Sequence, residues 1–242
     1  MAHGTPDWGL TAGTVTTYQL TDLAELAVRL GSIVSYDRRG EVLFLDDFQH
    51  GLSLWDPDTS GAGADVYLST ELALSGSFAC KLIPGTATGN YALIQTYLSL
   101  PPLSRMGVQY FFSHLGTTQK IDFDLAAEWA SGQFYASVRY DDVADELLVY
   151  NSAGVYVSFA TGIALTTHST IFSRAKLVID LSTGTYVRFL LNDVEYDLSA
   201  YAIRPNATLQ AGTLYTSITT YRLAGGLSPI LVDNVIVTHN EP

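Results

Sequence analysis

The fold is decided by one run: Lys176-Leu177-Val178-Ile179-Asp180-Leu181, then Ser182-Thr183-Gly184-Thr185, then Tyr186-Val187-Arg188-Phe189-Leu190-Leu191, then Asn192-Asp193, then Val194-Glu195-Tyr196-Asp197-Leu198. Three segments rich in β-branched and aromatic residues are separated by turn residues, which is the pattern of a β-meander. Alternate residues of a strand point to opposite faces. Leu177, Ile179 and Leu181 therefore share one face, and Lys176, Val178 and Asp180 the other. In the second segment Val187, Phe189 and Leu191 are expected on one face, and Tyr186, Arg188 and Leu190 on the other. Asn192-Asp193 is short enough for a tight hairpin, and both residue types tolerate positive φ.

The same pattern extends in both directions. Glu41 to Leu45 reads as the first strand, and short strands follow at 66–72, 77–83, 91–98, 106–114, 120–129, 133–140, 146–150, 155–159, 170–181, 185–191, 194–198, 213–221 and 229–238. Gly76, Pro84-Gly85, Gly89-Asn90, Pro101-Pro102, Asp141-Asp142 and Gly225-Gly226 punctuate them. Many short strands at this spacing predict an all-β sandwich over residues 41–242. Cys80 is the single cysteine, which rules out an intrachain disulfide and reads as a small buried hydrophobe.

Residues 1–40 are different. Met1 to Thr17 has no periodicity and reads as an extended arm carrying His3 and Trp8. One short helix is predicted from Asp22 to Leu30. Asp22 and Glu25 have capping-box spacing, Gly31 supplies the stop, and Leu23, Leu26, Ala27 and Leu30 form an apolar stripe. A helix this short needs something to dock on. Either it covers one end of the sandwich, or Trp8, Leu23, Leu26 and Leu30 bind a partner.

Composition narrows the functions. The 242 residues include 24 acidic and 12 basic side chains, a net charge of -12. That balance argues against nucleic acid and against an anionic membrane surface. No run approaches the length of a membrane span, and the N-terminus lacks a signal-peptide pattern, so a soluble protein made in the cytoplasm is expected.

Asp46-Asp47-Phe48 followed by Gly51 and Trp55, Ser75-Gly76-Ser77-Phe78-Ala79-Cys80-Lys81-Leu82, the Lys176–Leu198 meander and Ile230-Leu231-Val232-Asp233-Asn234-Val235-Ile236-Val237 occur in an order that resembles the concanavalin-A-like (lectin/glucanase) jelly roll. The resemblance covers about residues 41–239. It implies a jelly-roll sandwich whose closing strand lies beside the first. It also implies a candidate structural calcium at that junction, where Asp46, Asp47, Asp233 and Asn234 offer hard oxygen ligands. The opening Met1-Ala2-His3-Gly4-Thr5-Pro6-Asp7-Trp8-Gly9, with the stretch from Tyr18 to Val42, resembles uncharacterised proteins encoded among phage virion genes.

Retaining glycosidases need two carboxylates about 5–5.5 Å apart. The laminarinase-type family carries them as E-x-D-x-E on one strand. The nearest match here is Lys120-Ile121-Asp122-Phe123-Asp124, with Lys120 where the family has its nucleophile. Asp122, Asp124 and Glu128 then read as a polar sheet face. No G-x-S-x-G, no paired-histidine spacing and no phosphate loop occurs. The sequence therefore predicts a non-enzymatic structural protein of a phage virion, a capsid decoration or tail-associated protein. It would be anchored through its N-terminal arm as a homo-oligomer, with a trimer as one candidate state. The alternatives are a carbohydrate-binding lectin-like module, with Trp55 and Trp129 as stacking candidates beside Tyr110 and Tyr140, and a divergent glycoside hydrolase.

Overall fold

The computed structural model describes residues 37, 39–99, 104–116, 119–129, 132–166, 168, 170–205, 212–223 and 229–242, with the backbone alone at 129, 132 and 133. The chain divides into two units, Met1–Arg38 and Arg39–Pro242. The predicted helix, Trp8, Leu23, Leu26 and Leu30 lie outside the described residues. Among the described residues there is no helix, and the strands are β1 (Glu41–Asp46), β2 (Asp56–Thr59), β3 (Asp65–Ser69), β4 (Ala79–Ile83), β5 (Tyr91–Ser99), β6 (Arg105–His114), β7 (Gln119–Trp129), β8 (Gly132–Asp141), β9 (Glu146–Tyr150), β10 (Tyr156–Thr161), β11 (Ser173–Asp180), β12 (Thr185–Leu191), β13 (Val194–Asp197), β14 (Arg204–Pro205), β15 (Thr213–Arg222) and β16 (Ile230–His239).

The strands form two antiparallel sheets. Sheet A runs β13-β12-β11-β6-β16-β4-β3, with β1 also on β16. Sheet B runs β10-β9-β8-β7-β15-β5-β2, with β14 on β8. Each inner face is apolar because alternate residues of each strand are, and burying that surface drives the two layers together. Phe112 of β6 and Phe189 of β12 meet Phe123 of β7 across the gap, with ring centroids 5.2 and 5.8 Å away. Two hydroxyl-centred contacts tie the layers together. Thr216 donates to the Asp124 carbonyl at 2.8 Å and is left to accept from Tyr110. Tyr186 accepts from the Ser137 N–H at 2.9 Å and donates to the Tyr150 carbonyl at 2.7 Å. Cys80 is fully buried in this core, and burial pushes its thiol pKa up.

The expected closing of the fold is present: β1 and β16 pair antiparallel, with Asp46 opposite Val235. The meander is also present, with Asn192 at φ 54° in the predicted hairpin. Its facing differs in one respect. The register of β11 on β12 passes from Val178↔Arg188 to Ile179↔Tyr186, so Val187 is an extra, bulged residue. A bulge reverses the alternation beyond it. Tyr186 therefore joins Phe189 and Leu191 in the core, while Val187 lies half-buried. A second bulge lies between Asp233 and Ile236 of β16, with Asn234 at φ 47°. It lets Val232 and Val235 both point inward.

Lys176 and Arg188, predicted on the outer face of the meander, are buried there. Both reach the carboxylate of Glu241, at 2.6 and 2.5 Å. Thr238 donates to the same carboxylate at 2.6 Å. Gly107 makes room for it: a Cβ there would come within 2.9 Å of the Glu241 Oε1 and 2.6 Å of the Thr238 hydroxyl.

Candidate functional site

The outer face of sheet B is the most chemically loaded surface described. Ile121, Phe123, Leu125 and Ala127 of β7 turn inward, so Lys120, Asp122, Asp124, Ala126 and Glu128 must turn outward. Register then sets what lies beside them. One row across the sheet holds Leu93, Thr219, Asp122 and Arg139, and the next holds Gln95, Ser217, Asp124 and Ser137. The flanking rows carry Tyr91 and Tyr221 beside Lys120, and Tyr97 and Tyr215 beside Ala126 and Tyr135.

The two aspartates have opposite surroundings. Asp122 accepts from Arg139 Nε at 2.6 Å and Nη2 at 2.7 Å, and from the Tyr156 hydroxyl at 2.9 Å. Such a two-point guanidinium contact is charge-assisted and fixes the carboxylate's orientation. Asp124 has hydroxyl donors instead, Tyr135 at 2.9 Å and Ser217 at 2.8 Å. Burial and the neighbouring Asp122 charge push its pKa up to about 7, and the hydroxyls offset only part of that. Arg139 also lies 3.9 Å from the centroid of the Tyr156 ring, a cation–π contact. Lys120 pairs with Asp141 at 2.9 Å. At the far edge Arg204 of β14 lies over Tyr150 and donates to its hydroxyl.

Tyrosines form the rim of this polar floor. Tyr97 and Tyr215 lie with ring centroids 5.3 Å apart, Tyr91 and Tyr221 6.0 Å, and Tyr150 and Tyr156 4.8 Å. Tyr97 is 53% exposed. Asp56 and Asp58 of β2 border the face, bonded to Gln95 at 2.8 Å and Tyr91 at 2.9 Å.

Asp122, Asp124 and Glu128 do form an outward polar face. Trp55 corrects the stacking expectation: it is buried against Phe44 and Phe48, and its indole N–H donates to Asp46 at 2.5 Å. No ring face is left for a sugar. Tyr110 and Tyr140 are likewise core residues. The side chain of Trp129 lies outside the described residues. Asp46, Asp47, Asp233 and Asn234 gather where β1 meets β16, and their oxygens accept protein hydrogen bonds. Asp46 takes Phe48 N–H at 3.2 Å as well as Trp55, Asp47 takes Gln49 N–H at 3.2 Å, and Asp233 takes Leu74, Ser75 and Asn234 N–H at 2.7, 3.1 and 2.7 Å. The Asn234 side-chain oxygen accepts from Ser75 at 3.1 Å. Burial raises the Asp233 pKa, those N–H donors pull it back, and the Asp47 charge adds to the rise. Among the described residues no group of three or more His, Cys, Asp or Glu converges as a metal ion requires.

Reading the sequence alone missed Arg139, Tyr135, Tyr156 and the tyrosine pairs. The available signal was parity in β5 and β15, where Tyr91, Tyr97, Tyr215 and Tyr221 all fall on outward positions.

No protein-family model matches this chain. No curated protein matches its sequence. Solved structures do share its fold. "Cellulose induced protein, Cip1" superposes with a TM-score of 0.57 at 16% identity, over 81% of this chain and 96% of that one. A carbohydrate esterase from the Shiga toxin-encoding bacteriophage phi24B gives 0.54 at 15% identity, over 84% and 100%. The carbohydrate recognition domain of Emp47p gives 0.51 at 10% identity, over 84% and 99%. At such identities the likeness is one of fold, the lectin-like jelly-roll sandwich.

Proposed function

We propose that this chain is a carbohydrate-binding module whose site is the outer face of sheet B. One observation carries the reading: paired tyrosines rim a floor of hydrogen-bonding side chains on a face that does no core packing. A sandwich needs only a solvated outer face for stability. Placing Asp122 and Asp124 side by side beneath tyrosines costs desolvation that folding does not require. Flat rings over polar groups suit pyranoses, which present C–H faces and a hydroxyl edge. Two fold relatives, described as a carbohydrate esterase and a carbohydrate recognition domain, support the same class of ligand.

The reading is non-enzymatic. Lys120 stands where the laminarinase-type strand has its nucleophile and is paired with Asp141, while Asp122 is held by Arg139. A glycan array probed with the full chain tests the proposal. Binding that falls on Tyr97→Ala and Tyr215→Ala, with the circular dichroism unchanged, supports it. An array with no bound glycan overturns it, and hydrolysis of laminarin lost in Asp122→Asn overturns the non-enzymatic part.

A second reading sets the module in a phage virion, as a capsid decoration or tail-associated homo-oligomer anchored through residues 1–40. The resemblance of that N-terminal stretch to phage virion proteins favours it, as does a fold shared with a phi24B protein. Mass spectrometry of purified particles tests the location, and light scattering of the full chain tests the oligomer.

A further inference from the structure

We propose that the outer face of sheet B takes an internal stretch of a neutral, linear polysaccharide, laid along β5 and β15 between two tyrosine pairs. This rests on the carbohydrate reading above and adds the shape and charge of the ligand.

The spacing of the pairs argues for length. Tyr91 faces Tyr221 at one end of the β5–β15 ladder, and Tyr97 faces Tyr215 at the other. Six residues of antiparallel strand separate them, about 20 Å. A single sugar ring can cover one pair and leaves the other in water. A chain of several pyranoses reaches both. Between the pairs the outward positions are Leu93, Gln95, Ser217 and Thr219, flanked by Asp122 and Asp124. These side chains are short or already tethered: Gln95 to Asp56, Ser217 to Asp124. The track is therefore low between its two aromatic ends, as an extended chain requires. Tethered side chains also lose little freedom when a ligand arrives, which limits the cost of binding.

Charge argues for neutrality. Asp56 and Asp58 line the β2 edge of the track, and Glu128 lies on its β7 side. The cations among them are committed, Arg139 to Asp122 and Lys120 to Asp141. Arg204 stands beyond β8, away from β5 and β15. A polyuronate laid here would place carboxylates beside carboxylates, and like charges in register are penalised.

The experiment is titration calorimetry of the full chain with cellulose-, laminarin-, xylan-, galactan- and mannan-derived oligosaccharides, from disaccharide to octasaccharide, beside polygalacturonate and alginate. The expected result is an affinity in at least one neutral series that rises roughly tenfold or more with length and then levels off. Tyr97→Ala and Tyr91→Ala should each lower the long-ligand affinity by a similar factor, while Tyr97→Phe, which keeps the ring, holds it. Disaccharide and octasaccharide bound equally tightly would overturn the extended track and leave the carbohydrate reading standing. So would a uronate polymer bound more tightly than every neutral series. Binding of no sugar at all would remove both.

Discussion

Arg139 is shared between Asp122 and Tyr156: two of its nitrogens lie 2.6 and 2.7 Å from the carboxylate while its guanidinium carbon sits 3.9 Å from the ring centroid. The carboxylate is 3% exposed, so Arg139 and the Tyr156 hydroxyl take the place of water around it. Arg139→Ala should cost about 3–5 kcal/mol of unfolding free energy, the usual effect of leaving a buried charge unpaired. Arg139→Lys should recover only part, because an ammonium supplies neither the fork nor the flat stack. Urea denaturation of the three proteins checks this, and an alanine variant as stable as the parent would contradict it.

Asp124 makes a prediction about pH. Its folded pKa, about 7, lies above the ordinary 3.8, because burial and Asp122 disfavour the charge. Between those values the folded state holds a proton that the unfolded state has released. This group's contribution therefore declines as pH rises from about 4 to about 7 and is flat above. Asp124→Asn lacks the ionisation. Its stability relative to the parent should climb across that window by an amount on the order of a few kcal/mol. Denaturation curves of both proteins at each pH measure the difference, and parallel pH profiles would refute the assignment.

Glu241 accepts from Lys176, Arg188 and Thr238 at once. Removing the carboxylate takes away the anion that two buried cations share, so Glu241→Ala should lose about 3–5 kcal/mol. Glu241→Gln should lose less, since the amide oxygen still accepts. Thermal melts of the two variants give the order, and the reverse order would contradict the role given to the carboxylate.

Trp55 separates packing from binding. Trp55→Ala removes a ring packed on Phe44 and Phe48 and should cost about 3–5 kcal/mol. Trp55→Phe mainly removes the donor to Asp46, for about 1–3 kcal/mol. Neither should alter glycan affinity at a temperature where the variant is folded. Tyr97→Ala should do the opposite, with little loss of stability at a side chain 53% exposed.

Most of the sandwich was legible in the sequence because one-sided burial writes itself as alternation. The segments 91–98, 120–129 and 185–191 fall within a residue or two of β5, β7 and β12. What was not legible has specific causes. Asp56-Pro57-Asp58-Thr59 forms β2 with all four residues exposed, so no apolar period marks it. Arg204-Pro205 is too short to carry any period. The Val187 bulge reverses a face that strict alternation assigns the other way. At the site, Asp122 and Asp124 were visible as a polar face, but Arg139, Tyr135 and Tyr156 reach them through strand register, which no local spacing records. Trp55 misled because residue type says nothing about exposure.

The order in which the layers close has a consequence for synthesis. β15 is the strand that joins β5 and β2 to the rest of sheet B, and β16 joins β1, β4 and β3 to β6 in sheet A. Both strands follow β1 to β14 along the chain. Until Thr213 to His239 has emerged, the nascent chain holds half-sheets with unpaired, apolar edges and nothing to bridge them. Such late, long-range pairing makes folding slow and leaves the edges open to aggregation. Ribosome-stalled chains ending before Thr213 should therefore stay protease-sensitive and bind chaperones, whereas chains in which Thr213 to His239 has emerged should gain resistance in one cooperative step.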